Sequence, residues 1–192
     1  ENIGNYIEES GKINENVTAD ELVFDGDFNS LNVTVERPMT LTGGEVSSFK
    51  NPNIQIYASN VTLQKFIITQ DKGVNSIFVG PIDDNTTTSD VSISDVAITF
   101  FDDQNGAGAV HIEVVKSDNF VLKDSYIAFK GKTDGYYINN AIRVASSRNA
   151  KIYNNYAIIN ISHDDEEYEY KNYLTGVYNA YNVLAAIVTT ME

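Results

Sequence analysis

Apolar and polar residues alternate in short runs along most of this chain, and the runs return at a fixed interval. Residues Ser59 to Ile68 read Ser-Asn-Val-Thr-Leu-Gln-Lys-Phe-Ile-Ile, and the pattern recurs at Ser89 to Ile98, Asp118 to Ile127 and Arg148 to Ala157. A shorter copy is Tyr181 to Leu184. The apolar anchors Leu63, Ile93, Leu122, Ile152 and Leu184 stand 30, 29, 30 and 32 residues apart. Each repeat holds three alternating segments, for example Val110 to Val114, Phe120 to Leu122 and Tyr126 to Phe129. Period-two alternation turns one side chain inward and the next outward, the mark of a half-buried strand. Three short strands with their turns every ~30 residues describe one coil of a parallel β-helix.

The expected fold is therefore all-β: a right-handed parallel β-helix of three sheets and about five to six coils, right-handed because parallel crossovers almost always are. Leu63, Ile93, Leu122 and Ile152 are expected to stack inward. A β-sandwich also has many short strands, but needs no fixed repeat. Residues 1–27 lie outside the repeat, and Ile3, Tyr6 and Ile7 at helical spacing predict a short helix covering the open end of the stack. Leu22 to Asp27 reads as a first strand and turn, and residues 28–192 as the coils of a single domain. The chain starts at Glu1 and stops soon after the strand-like Ala186 to Thr189, and is expected to be a piece of a larger modular protein.

Composition supports the sheet assignment. There are 20 Ile and 18 Val against 7 Leu, and β-branched residues favour pleated structure. With 13 Lys and Arg against 27 Asp and Glu, the net charge of −14 repels phosphates and anionic head groups, so no nucleic acid and no membrane insertion are expected. Cysteine is absent, which excludes disulfides and thiolate zinc sites, and His111 and His163 alone do not make a multi-histidine metal site.

Asn32 to Gly44, Asn-Val-Thr-Val-Glu-Arg-Pro-Met-Thr-Leu-Thr-Gly-Gly, resembles the opening coil of right-handed parallel β-helix proteins, and the units that begin at Asn60, Asp90, Asn119 and Asn149 resemble their repeats. Over about residues 28–190 the chain resembles the adhesin-like surface proteins of methanogenic archaea, within the pectate-lyase-like superfamily. The resemblance implies a secreted, extracellular, surface-anchored protein for cell adhesion, with a surface glycan or a protein of another cell as partner. That fold carries both enzymes and inert stalks, so the residues must decide.

Asn60, Asp90, Asn119, Asn149 and Asn182 recur at one turn per coil, where Asn and Asp tolerate left-handed backbone, and read as a structural ladder. Five sequons, at Asn16, Asn32, Asn60, Asn85 and Asn160, are possible glycan acceptors on a secretion route; Asn85 in a polar loop is the best placed, and Asn160 is the second retained. Calcium is the one cofactor worth considering, through the hard oxygens of Asp102, Asp103, Asp164 and Asp165; otherwise no cofactor is expected. Tyr136, Tyr137, Tyr168, Tyr170 and Tyr173 read as loop rings able to stack on a glycan or a protein.

No catalytic residue is assigned. His111 reads as outward between Val110 and Ile112, with no nucleophile motif beside it, and His163 falls in an acidic loop. The aligned outward row Gln55, Phe78, Glu113, Arg143 and Gly176 lacks the three carboxylates with a neighbouring base that a polysaccharide lyase, epimerase or hydrolase would need; Glu113 and Arg143 are expected to pair across neighbouring strands. A non-catalytic structural or adhesive module is therefore expected, recognising its partner on the insertions at 80–90, 101–108, 130–139 and 160–175, with a Ca-dependent enzyme on the same fold as the alternative.

Overall fold

The computed structural model describes residues 5–71, 75–101, 110–132, 140–163 and 166–174, with side chains over 5–71, 75–101, 110–128 and 141–156. The chain is all-β, and no helix element occurs among the described residues. A first pass forms β1 (Glu21–Phe24), β2 (Asp27–Asn29) and β3 (Asn32–Val35); a second forms β4 (Met39–Gly43), β5 (Ser48–Lys50) and β6 (Asn53–Ile56). The third is β7 (Val61–Gln64), β8 (Ile67–Gln70) and β9 (Ile77–Val79). There follow β10 (Thr88–Ser89), β11 (Ser92–Ser94), β12 (Ala97–Phe101) and β13 (Val110–Val115), then β14 (Ser117–Asp118), β15 (Val121–Lys123), β16 (Tyr126–Lys132) and β17 (Asn140–Ala145). Last come β18 (Lys151–Tyr153), β19 (Asn155–His163) and β20 (Glu166–Leu174).

The first five passes visit the three main sheets in the same order, and the last turns back into the seven-stranded sheet at β20. The six-stranded sheet is β1-β4-β7-β11-β15-β18, the seven-stranded sheet β2-β5-β8-β12-β16-β19-β20, and the five-stranded sheet β3-β6-β9-β13-β17, with a small β10-β14 ladder at one corner. Every pairing is parallel except β19 with β20, an arrangement compatible with a parallel β-helix.

Register places like residues on like. Leu63 pairs with Ile93, Ile93 with Leu122 and Leu122 with Ile152, the column expected from the repeat. Leu22 and Leu41 extend it at the other end. All six are buried. Leu22, Leu41 and Leu63 are only 19 and 22 residues apart, so the ~30-residue spacing holds for the later passes and not for the first two. The difference lies in the connections: two residues join β5 to β6, but six join β8 to β9. On the five-stranded sheet Val33, Ile54, Ile77, Ile112 and Ile142 form one inward column and Val35, Ile56, Val79, Val114 and Val144 another. Each well-buried aliphatic side chain contributes about 1.5–3 kcal/mol. Phe49 stacks on Phe66 with centroids 4.3 Å apart and on Phe28 at 5.1 Å, filling the interior under the first passes. Gly43 is required there, since a Cβ would stand 2.0 Å from the Lys65 carbonyl oxygen.

Left-handed backbone recurs at several corners, and two of the columns it makes run four residues deep. Asn60, Asp90, Asn119 and Asn149 have φ of 56°, 57°, 56° and 57°. Asn119 Nδ2 donates to Asp90 Oδ1 at 3.0 Å, and Asn149 Nδ2 to Asn119 Oδ1 at 3.3 Å, so the side chains bond along the stack. Five residues on, Lys65, Asp95, Asp124 and Asn154 repeat the device with φ of 59°, 52°, 51° and 53°. Beside the first column, the Arg148 guanidinium and backbone N–H bind Asp118, holding its carboxyl below the usual carboxylate range.

The ends differ from the sequence expectation. Tyr6 and Ile7 are not helical, and Ile3 lies outside the described residues. Ile7 bridges Ile13 antiparallel, and Lys12 bridges Thr34 parallel, with the Thr34 N–H donating to the Gly11 carbonyl at 2.8 Å. A helix would leave the outer edge of β3 unpaired; this turn, made possible by Gly11 at φ 91°, covers it and buries Ile7 and Ile13. At the other end, residues 160–175 are not a loop insertion: over Glu166–Leu174 they form β20, antiparallel to β19. Only two residues separate the strands, and a parallel crossover needs a dozen or more.

Candidate functional site

The outer face of the five-stranded sheet is built by the polar half of each alternating strand. Asn32 and Thr34 of β3 lie opposite Asn53 and Gln55 of β6. Gln55 continues to Phe78 of β9, Glu113 of β13 and Arg143 of β17. Tyr57 follows β6, and its N–H bonds the Val35 carbonyl at 2.9 Å. The Phe78 ring leans over Gly80, where a Cβ would come within 2.8 Å of its Cζ, and so approaches Tyr57, centroid to centroid 5.8 Å and inclined at 55°.

Between these residues lies an open groove of about 580 Å³, lined by Asn32, Asn53, Gln55, Tyr57, Asn75 and Phe78, with Ser30 and Asn51 closing one corner. Asn53 Nδ2 donates to Asn32 Oδ1 at 3.4 Å, and the Tyr57 hydroxyl donates to Gln55 Oε1 at 3.1 Å. Asn75 is fixed at both ends of its amide: Nδ2 donates to Glu113 Oε2 at 2.7 Å, and Oδ1 accepts from the Val110 N–H at 3.0 Å. Arg143 Nη1 donates to Glu113 Oε1 at 2.9 Å, so both oxygens of that carboxylate are engaged. The lining offers amide and hydroxyl groups beside two partly buried rings and carries no charge of its own.

The sequence pattern brings some expected residues together. Asn60, Asp90, Asn119 and Asn149 form one column, and Glu113 pairs with Arg143 across neighbouring strands. Asn85 is exposed in a turn where its N–H donates to Asp83 Oδ1 at 2.9 Å. Asn160 lies in β19, opposite Lys130 and Glu169. Tyr168, Tyr170 and Tyr173 lie in β20, opposite Ile161, Ile159 and Tyr156, not in a loop. Tyr170 thereby continues the register of Ile159, Phe129 and Phe100, a row that begins inside the core. Tyr136, Tyr137, Asp102, Asp103, Asp164, Asp165 and Asn182 lie outside the described residues. Among the described residues no group of three or more His, Cys, Asp or Glu is placed to hold a metal ion.

His111 corrects an expectation: it is buried, not outward. Val110, His111 and Ile112 are all covered, and the His111 ring lies against Phe100 and Ser76. The imidazole Nδ1 lies 3.5 Å from Ser76 Oγ, which accepts from Gln70 Nε2 at 3.3 Å. Burial pushes its pKa down to about 4.

The groove itself was missed. Its signal is the pair Asn32-Val33-Thr34-Val35 and Asn53-Ile54-Gln55-Ile56, an Asn followed by alternating aliphatics 21 residues apart, hidden by the ~30-residue period of the later passes. In comparisons with known proteins, no family model, no curated protein and no solved structure matches this chain.

Proposed function

We propose that the chain is a right-handed parallel β-helix of five full coils and part of a sixth, serving as a structural and adhesive module of a secreted cell-surface protein of the adhesin-like, pectate-lyase-like kind. It binds or displays a partner, a glycan or a protein of another cell, and does not turn one over. The observation that carries this reading is the uncharged amide-and-aromatic groove on a rigid sheet face. Such a face binds by shape and hydrogen bonding, whereas lyase or hydrolase chemistry needs an acid and a base free to move protons. On this face the one carboxylate in the aligned row, Glu113, has its oxygens occupied by Arg143 and Asn75. The stack contacts only its neighbouring passes, which suits a stalk whose length is set by repeat number.

The test is incubation with polyuronates and neutral glycans, with and without calcium, followed by chromatography. Intact substrates are expected, together with antibody labelling of unpermeabilised source cells. Accumulation of unsaturated or shortened products would make the protein an enzyme and overturn the proposal.

A further inference from the structure

We infer that the groove on the five-stranded sheet is a binding site for a neutral oligosaccharide, held by the amides of Asn32, Asn53 and Gln55 and by the rings of Tyr57 and Phe78. The inference rests on the recognition role proposed above and names its ligand and place: a sheet face, not the loops.

Four observations converge. First, polar capacity is left over. With Gln55 Oε1 held by the Tyr57 hydroxyl, its Nε2 has no protein partner among the described residues; nor do Asn32 Nδ2 and Asn53 Oδ1. These are donors and acceptors side by side, as vicinal hydroxyls require, since each hydroxyl both gives and takes a hydrogen bond. Second, the two partly buried rings leave an apolar edge at the groove for the C–H faces of a sugar. Third, the charges nearby are spent. Glu113 is bound on both oxygens, and a chain of net charge −14 disfavours a polyanion such as a polyuronate. Fourth, about 580 Å³ lies in the ordinary range of small-ligand sites.

The backbone argues against a peptide occupant. Extended peptides dock by adding a strand to a free sheet edge. Here β6 and β9 are paired on both sides, and β3 has its outer edge taken by the Lys12–Thr34 bridge. The groove is also preformed: Asn32, Asn53, Gln55 and Phe78 stand on strands whose register is fixed by the core columns, and Tyr57 is tied to Val35 by its N–H, so little ordering entropy opposes binding.

The experiment is calorimetric titration of the whole chain with hexasaccharides of β-linked glucose, mannose, galactose and N-acetylglucosamine, with hexagalacturonate and an extended hexapeptide as contrasts. At least one neutral hexasaccharide is expected to bind, more tightly than hexagalacturonate or the peptide. Gln55→Ala and Asn53→Ala should each weaken it roughly tenfold, the loss of one well-made hydrogen bond. Tyr57→Phe, which keeps the ring but frees the Gln55 amide, should weaken it less. Unchanged circular dichroism and melting of these outward-facing variants keep the result separate from folding. Binding that is lost in a Tyr168→Ala, Tyr170→Ala, Tyr173→Ala chain but untouched by Gln55→Ala and Asn53→Ala would overturn the groove and leave the adhesive role standing. Preference for hexagalacturonate or the peptide, or no binding to any neutral hexasaccharide, would overturn the inference outright.

Discussion

The ring of His111 lies against the ring of Phe100, with centroids 3.9 Å apart and planes 26° apart. Burial disfavours the imidazolium and lowers the pKa from 6.5 to about 4. An unfolded His111 titrates near the ordinary value, so between pH 6.5 and 4 the unfolded chain binds the proton that the folded chain refuses. Stability is then whole above pH ~6.5 and declines as pH falls toward 4. At about 1.4 kcal/mol per pKa unit the full loss is roughly 3 kcal/mol. Urea unfolding at pH 7 and pH 4.5 measures it: the drop should be about 2–3 kcal/mol larger in the wild type than in His111→Phe. Carboxylates contribute to both chains alike, so equal drops would show that His111 is not the titrating group.

Ile93 and Leu122 sit in the middle of the inward column, fully buried with a neighbour on each side. Truncating either to Ala should cost about 2–5 kcal/mol in denaturant unfolding. A cost below 1 kcal/mol would remove the column from the core.

Asn119 has two separable jobs, a left-handed backbone and a link in the amide chain. Asn119→Gly keeps the first and loses the second; Asn119→Ala loses both. The Ala variant should be less stable than the Gly variant by about 1 kcal/mol, the penalty of a Cβ in that conformation. Equal stabilities would mean that the backbone angle imposes no cost.

Arg143 is half exposed where it meets Glu113, so the pair is screened by water. Arg143→Ala should change stability by no more than about 1 kcal/mol, and the change should shrink in 1 M salt. A larger, salt-insensitive loss would identify the pair as part of the framework.

The stack was legible in the sequence where the period is ~30 residues, because Leu63, Ile93, Leu122 and Ile152 each sit at the same offset from an Asn or Asp that must turn left-handed. The second turn column was visible in Asp95, Asp124 and Asn154 but broken by Lys65, which adopts the same φ without the side chain that advertises it. The passes from Leu22 to Leu63 escaped because their short connections change the period while leaving the register intact. His111 misled because alternation predicts one face out, and it cannot see that Phe100 and Ser76 pack against this ring. The groove asks for side chains from β3, β6 and β9 to be read together, and only the pairing of strands brings Asn32, Asn53 and Phe78 to one face.

The unequal connections have a practical consequence. Between β6 and β7 the chain takes four residues, Tyr57 to Asn60, while between β9 and β11 it takes twelve, Gly80 to Val91, yet Leu63 still lands beside Ile93. Corner length and rung register are thus independent variables. Loop closure entropy grows only slowly with length, so a foreign peptide grafted near Ile82, which is 65% exposed, should leave the melting temperature nearly unchanged. That makes the corner a natural port for epitopes or affinity tags, and gives mutation room to remodel the corner without rebuilding the stack beneath it.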